Sequence, residues 1–299
     1  MDIEHRIQNM RLSLTALAMG DAFGERFFGP SSTVLALIEE RALPSKDVWK
    51  WTDDTAMAIS IVDVLTEFQT IDQEALANLF ATRYVADRLR GYGGGAHRLL
   101  EAMALGAPWR AESKGLFGGS GSFGNGGAMR AAPIGAYFCD DYERVAHEAR
   151  KSAEITHANI NGIEGAVAVA IAAAEALKPS PDLIGAALEF LPPCQTRENV
   201  EHARNLTLEA SVSTAVNALG NGAEVSAQDT VGFTLWCAQR HIDDFEEAMW
   251  TTVSGLGDRD TTCAIVGGIL GARVGHRQTG GIPESYLSRL EPLDVFIDE

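Results

Sequence analysis

Gly162-Ile163-Glu164-Gly165-Ala166-Val167-Ala168-Val169-Ala170-Ile171-Ala172-Ala173-Ala174-Glu175-Ala176-Leu177 is the stretch whose reading decides the fold. Its apolar residues recur three and four apart, alanine gives high helix propensity, and small side chains let neighbouring helices approach closely. Such a helix belongs in the middle of a bundle. It is not a membrane span, because its most apolar part, Gly165 to Leu177, covers about 13 residues and carries Glu175, whereas a bilayer needs roughly 20.

The same period extends outward through Leu12 to Phe23, Ala56 to Phe68, Glu74 to Leu89, Ala96 to Leu105, Ala128 to Phe138 and Tyr142 to Ile155. It continues through Glu198 to Ala218, Thr230 to Ala238, Phe245 to Val253 and Thr261 to Val274. Clean alternation of period two is almost absent, so an all-α protein is expected. Pro179, Pro181, Pro192 and Pro193 bracket one further short helix, and glycine concentrates at Gly91 to Gly95 and Gly115 to Gly127. No stretch has the length and polar bias of a linker, and no repeat of fixed period is present, so one domain over residues 1–299 is expected.

Composition narrows the function. Of 299 residues 46% are hydrophobic and 22% charged, which excludes wholesale disorder. Asp and Glu number 41 against 24 Lys and Arg, a formal net charge of −17. A body so acidic repels phosphate backbones and anionic lipid, so no nucleic-acid or membrane partner is expected; a small anionic ligand in a local pocket stays possible. The start MDIEHRIQNM lacks the features of a secretory signal, and Cys139, Cys194, Cys237 and Cys263 lie far apart. They read as reduced thiols of a cytoplasmic protein rather than a zinc site or disulfide framework.

Two acidic clusters precede apolar helices: Thr52-Asp53-Asp54-Thr55 and Gly257-Asp258-Arg259-Asp260-Thr261-Thr262. Helix capping explains one acid at each start, since Asp and Thr accept bonds from free amides there. Adjacent carboxylates, however, repel unless a positive charge lies beside them. Asp258 and Asp260, two apart in an extended segment, would point the same way. Brought together, the clusters offer four carboxylates and several threonine oxygens, a donor set that suits Mg²⁺ or Mn²⁺ better than zinc. Four carboxylates exceed the need of one ion, so a pair of ions about 3.5 to 4 Å apart is the natural occupancy.

Between the clusters lies Gly119-Ser120-Gly121-Ser122-Phe123-Gly124-Asn125-Gly126-Gly127, followed by a helix expected from near Ala128. A glycine-rich turn before a helix exposes amides to a diphosphate, although a flexible surface loop has the same composition. It lacks the Lys-Ser/Thr ending of a P-loop and has no preceding strand, so ATPase and Rossmann readings fail. Phe123 either stacks on a base or lines the ribose pocket, or is simply buried. His157, between two helices, is either structural or a hydrogen-bond donor to phosphate or sugar.

In this order, Gly20-Asp21-Ala22-Phe23-Gly24, Trp51 to Thr55, Arg90-Gly91-Tyr92-Gly93, Ser122 to Arg130, Thr156-His157 and Gly257 to Thr261 span nearly the whole chain. Together they resemble the ADP-ribosylglycohydrolase family. The resemblance implies a compact all-helical bundle with a binuclear magnesium or manganese centre. It further implies that Thr52, Asp53, Asp54, Asp258, Asp260 and Thr261 ligate the ions. Ser122, Phe123, Gly124 and Asn125 would hold the diphosphate and neighbouring ribose, and His157 would contact ADP-ribose. The loop and histidine are most similar to the branch hydrolysing serine-linked ADP-ribose and O-acetyl-ADP-ribose. That branch carries a catalytic glutamate at the position of Phe28; the nearest acid here is Glu25, which either takes its place or is an ordinary helix-end residue.

The expected activity is therefore metal-dependent hydrolysis of an α-linked ADP-ribosyl bond in a small molecule or modified protein. Asp53 and Asp258 act at the metal centre, and Glu25 or one of the aspartates assists proton transfer. Two rivals remain: a protein of the same fold that binds ADP-ribose without turnover, for which Phe28 is the main support, and a two-metal hydrolase of another nucleotide-like substrate. Acceptor identity and oligomeric state leave no trace in the chain.

Overall fold

Asp2 accepts a hydrogen bond from the His5 amide (2.9 Å) and so begins the first helix well before its apolar repeat. The computed structural model describes residues 1–44 and 48–293. Its helices are α1 (Ile3–Glu25), α2 (Ser31–Glu39), α3 (Asp53–Phe68), α4 (Gln73–Ala86), α5 (Gly94–Ala104), α6 (Trp109–Gly115), α7 (Ala132–Tyr137) and α8 (Tyr142–Glu154). They continue as α9 (Ile160–Glu175), α10 (Leu183–Phe190), α11 (Gln195–Asn205), α12 (Val212–Leu219), α13 (Ala227–Arg240), α14 (Phe245–Ser254), α15 (Arg259–Gly275) and α16 (Glu284–Leu287). Two short 3-10 turns and two isolated bridges complete the regular structure among the described residues, so the all-α expectation holds. None of these helices is long and apolar enough to cross a membrane.

Two expected helices are corrected. Glu198 to Ala218 is not continuous: α11 stops at Asn205, and Ser211 Oγ accepts from the Thr214 amide (3.1 Å) to start α12. Trp236 and Arg240 of α13 donate to the carbonyls of Thr207 and Ala210, which gives the connecting backbone partners outside a helix. Ala128 to Phe138 is shortened to α7, which begins beside Pro133, a residue with no amide proton and a helical φ. The bracketed helix is present as α10. The helices not expected, α2, α6 and α16, each follow directly on a proline: Pro30, Pro108 and Pro283.

The alanine-rich α9 lies in the interior as its composition demands, with Glu164 to Glu175 buried throughout. Its small residues admit α7 so closely that a Cβ added to Gly135 would lie 1.8 Å from the Ala170 carbonyl oxygen. Gly135→Ala is expected to lower stability by about 2 to 3 kcal/mol, because the two backbones must separate. The check is a lower urea midpoint at unchanged m; a wild-type midpoint would contradict the close approach.

Helices α1 and α15 pack in the same manner. A Cβ on Gly267 would meet the Ala16 carbonyl oxygen at 2.3 Å, and one on Gly271 the Leu12 carbonyl oxygen at 2.6 Å. The C-terminal end of α1 is held by an aromatic cluster in which Phe23 stacks on Tyr286 (5.6 Å) and meets Trp250 edge-on (5.3 Å). Trp49 joins this cluster and pairs its backbone with Arg289 and Glu291, which anchors the segment leading into α3.

Candidate functional site

Close packing of α1 on α15 brings the second acidic cluster to the end of α1. A Cβ on Gly20 would lie 2.1 Å from the Cys263 carbonyl oxygen, and one on Gly24 2.1 Å from that of Arg259. Asp21, between these glycines, is fully buried and joins α1 to the first cluster. It accepts from the Thr52 amide (2.9 Å), the Thr52 hydroxyl (2.9 Å), the Thr55 amide (3.1 Å) and the Thr55 hydroxyl (2.5 Å). The Asp53 amide donates to the Arg90 carbonyl (2.6 Å). Arg90 is itself fixed by Glu291 and lies 3.6 Å over the Trp51 ring. Gly91 has a φ of +92°, which favours glycine, and a Cβ there would stand 3.5 Å from Asp53 Oδ1.

Capping does not account for the acids. Asp2, Asp72, Asp141, Asp182 and Asp244 each cap a helix through a side-chain oxygen. Thr52 and Asp258 occupy the same position on α3 and α15 and make no such bond. Asp260 lies in the first turn of α15 rather than in the extended segment expected for it. Asp54 Oδ1 and Asp260 Oδ1 are buried with no hydrogen-bond partner, and the ion pairs among the described residues include none of Asp21, Asp53, Asp54, Asp258 and Asp260.

The electrostatic consequence is large. Burial, opposed by the threonine bonds, pushes Asp21 up to about 6. Burial and Asp260 push Asp258 to about 7, and burial and Asp21 push Asp260 to about 6. Asp53 and Asp54 rise well above the carboxylate range, through burial first and the neighbouring acids second. Among the described residues no three His, Cys, Asp and Glu side chains form a ready-made ligand set as they stand. The donors are nevertheless all oxygen, mutually repelling and partly without partners, which is the chemistry a hard divalent cation relieves.

Asp53, Asp54, Asp258, Asp260 and Thr261 line a cavity of about 620 Å³. Ser122, Phe123, Gly124, Asn125 and His157 line it too, so the loop and the acids share one site. Ser122 Oγ accepts from the Gly124 amide (3.1 Å), and the Ala227 amide pairs with the Phe123 carbonyl (3.0 Å), fixing the loop against α13. Phe123 is partly exposed and its ring lies 6.1 Å from that of Phe117, so an aromatic wall faces the cavity. Asn125, besides lining the cavity, donates its amide to Asp258 Oδ2 (2.7 Å) and Thr230 Oγ1 (3.2 Å), which ties the loop to the acids.

Burial, with Arg130 adding repulsion, holds His157 down at about 3, so the ring is neutral. Arg130, also buried, donates to the carbonyls of Gly126 (2.8 Å) and Ser152 (3.1 Å) and to Thr156 Oγ1 (2.8 Å).

Glu25 and Thr52 do not line the larger cavity. They face a second one of about 370 Å³, which shares Asp260 and Gly91 with the first and is also bordered by Arg26, Lys50 and Arg90. Burial raises Glu25 above its ordinary value against the opposing effect of Arg26. Phe28 turns away: it is 45% exposed, with the Arg259 guanidinium 4.9 Å above its ring. Sequence reasoning assigned no role to Asp21, Arg130 or Thr156, although all three lie in quoted motifs. Only Asp21 had a signal, a charged residue between small ones in Gly20-Asp21-Ala22.

A family model described as ADP-ribosylglycohydrolase matches residues 2–298. The human ADP-ribosylhydrolase ARH3 is 30% identical over 280 residues, covering 81% of this chain and 74% of its own. The zebrafish (Danio rerio) ADP-ribosylhydrolase ARH3 is 27% identical over 330 residues, covering 96% of this chain and 88% of its own. A solved chain described as an ADP-ribosylglycohydrolase-related protein complex has 24% identity and a TM-score of 0.64, covering 96% of this chain and 94% of that one; it is a likeness of fold.

Proposed function

Because the chain belongs to the ADP-ribosylglycohydrolase family, we propose that it hydrolyses the bond between ADP-ribose and an acceptor with the help of two Mg²⁺ or Mn²⁺ ions. The observation that supports this reading is that two acidic clusters, remote in sequence, line the same cavity as a glycine-rich loop with an aromatic face. Thr52, Asp53, Asp54, Asp258, Asp260 and Thr261 would hold the ions. When bound, the ions supply positive charge that draws in a diphosphate ligand against the acidic body and lower the pKa of an attacking water.

The remaining roles fall to the chain itself. Asp21 orients Thr52 and the start of α3 through its four bonds. Asn125 couples the loop to Asp258, so that filling the loop and setting the acids are linked. Neutral His157 offers a donor without adding charge. The smaller cavity is the place for the acceptor, and Glu25 on its wall is a carboxylate whose burial suits it to exchange a proton with the departing atom as an oxocarbenium-like transition state develops.

Glu25→Gln is expected to lower kcat by about 100-fold while the dissociation constant for ADP-ribose stays within twofold (roughly 0.4 kcal/mol). An unchanged kcat would remove Glu25 from the reaction. The test of the function is a panel of arginine-, serine- and acetyl-linked ADP-ribose with Mg²⁺, Mn²⁺ or EDTA, read by mass spectrometry. Release of ADP-ribose that depends on the ion is the expected result. Binding of ADP-ribose with no release from any substrate would favour the reading without turnover, for which Phe28, exposed under the Arg259 guanidinium at the position of the family glutamate, is the supporting observation.

A further inference from the structure

We propose that Arg130 is a positioning residue that acts through Thr156 to hold His157 in the tautomer whose Nε2–H points into the cavity. Arg130 carries only donors, so at 2.8 Å it must give a proton to Thr156 Oγ1. That hydroxyl then has a single proton of its own to place. Two acceptors are in range: His157 Nδ1 at 2.7 Å and the Ala153 carbonyl at 3.5 Å. The first distance is that of a full hydrogen bond and the second lies at the edge of one, so the proton goes to Nδ1. A neutral ring that accepts at Nδ1 carries its own proton on Nε2.

The ring is buried, and glycines make the room it occupies. A Cβ on Gly162 would stand 2.8 Å from its Cδ2, and one on Gly126 3.3 Å from its Cε1. His157 Nε2 faces the glycine loop, 3.5 Å from where a Cβ on Gly124 would be. The same guanidinium bonds the Gly126 carbonyl, so one buried cation sets both the loop and the histidine that faces it. The chain of contacts therefore presents a neutral donor to an anionic oxygen or a hydroxyl in the cavity. Its use on ADP-ribose rests on the function proposed above; the tautomer itself does not.

The experiment reads the His157 ring by ¹⁵N NMR in the free protein, with the resonance assigned by its loss in His157→Gln. The Nε2–H tautomer is expected in the wild type. Thr156→Val keeps the shape and removes the relay, so the ring should lose its single tautomer and the dissociation constant for ADP-ribose should rise about tenfold. KM should follow the dissociation constant while kcat changes less. Thr156→Ser should restore both the tautomer and the affinity. Arg130→Met should reproduce the loss at the ring; since it also frees two backbone carbonyls, the Thr156 pair carries the test if that variant does not fold. An Nδ1–H ring in the wild type, or a Thr156→Val protein that melts lower with tautomer and affinity unchanged, would overturn the proposal. A wild type with the Nε2–H tautomer that fails to bind ADP-ribose would support the relay and sink the proposed substrate.

Discussion

Asp54→Asn is expected to reduce ADP-ribose release by about 10³-fold or more and, in the absence of metal, to raise the melting temperature. The two effects have opposite signs because Asp54 is a liability to the apo fold. It is 1% exposed, one of its oxygens has no partner, and Asp21, Asp53, Asp258 and Asp260 all act to keep it protonated. Asparagine keeps the size, and its amide N–H can donate to Thr52 Oγ1, which lies 3.1 Å from Asp54 Oδ2 and gives its own proton to Asp21. Asparagine is neutral folded and unfolded, so it removes the cost of holding the Asp54 carboxyl protonated in the fold at a pH where the unfolded chain has released that proton, and the apo protein gains stability. The same loss of charge weakens any site built to hold two divalent ions. Differential scanning fluorimetry in EDTA, alongside turnover with Mn²⁺, measures both. A variant less stable than wild type with full activity would mark Asp54 as a packing residue.

In EDTA, the wild-type protein is expected to lose stability as pH rises from about 4.5 to about 7, and saturating Mn²⁺ should abolish most of that slope. Asp21 and Asp260 stand at about 6 and Asp258 at about 7 in the fold, against an ordinary value of 3.8. Between these limits the folded chain holds protons that the unfolded chain has released. Stability is then present in full below the unfolded value and lost as pH climbs through the folded ones. His157 works in the opposite sense, since its value of about 3 in the fold lies below the ordinary 6.5 and the unfolded chain takes up its proton as pH falls. His241, also held below its ordinary value by burial, acts in the same sense as His157, but these two histidines stand against five raised carboxylates, Asp53 and Asp54 among them, so the carboxylates dominate. Ions that hold these groups ionised remove their proton uptake, so metal binding should also release protons into the buffer. A melting temperature in EDTA that is flat from pH 5 to 7 would contradict a cluster buried without charge compensation.

The most legible parts of the chain were those whose local composition and tertiary role coincide. In α9 and α15 small apolar residues recur at helical spacing, and these helices are buried nearly all round. The two acidic clusters were legible for the same reason, since adjacent carboxylates before an apolar helix are costly anywhere and signal a compensating partner. Reading failed where long-range contacts override local pattern. The break between α11 and α12 depends on carbonyls satisfied from α13, more than 20 residues away in sequence. Helices α2, α6 and α16 are short and have few buried residues, so their periodicity is weak and their leading prolines were the better signal.

What the sequence by itself determined was the helical class, the all-oxygen donor chemistry of the two acidic segments and the glycine-rich composition of the loop between them. These are properties of residue type and near neighbours. Only the tertiary structure decided that Asp21, Asp53, Asp54, Asp258 and Asp260 meet, that Asn125 turns to Asp258, that Glu25 faces the second cavity, and that Arg130 reaches Thr156. Each of these depends on how closely two backbones approach. For the acidic clusters that distance is set at Gly20 and Gly24, where α1 lies against α15 with no room for a Cβ, and no local pattern in either helix encodes the partner it will meet.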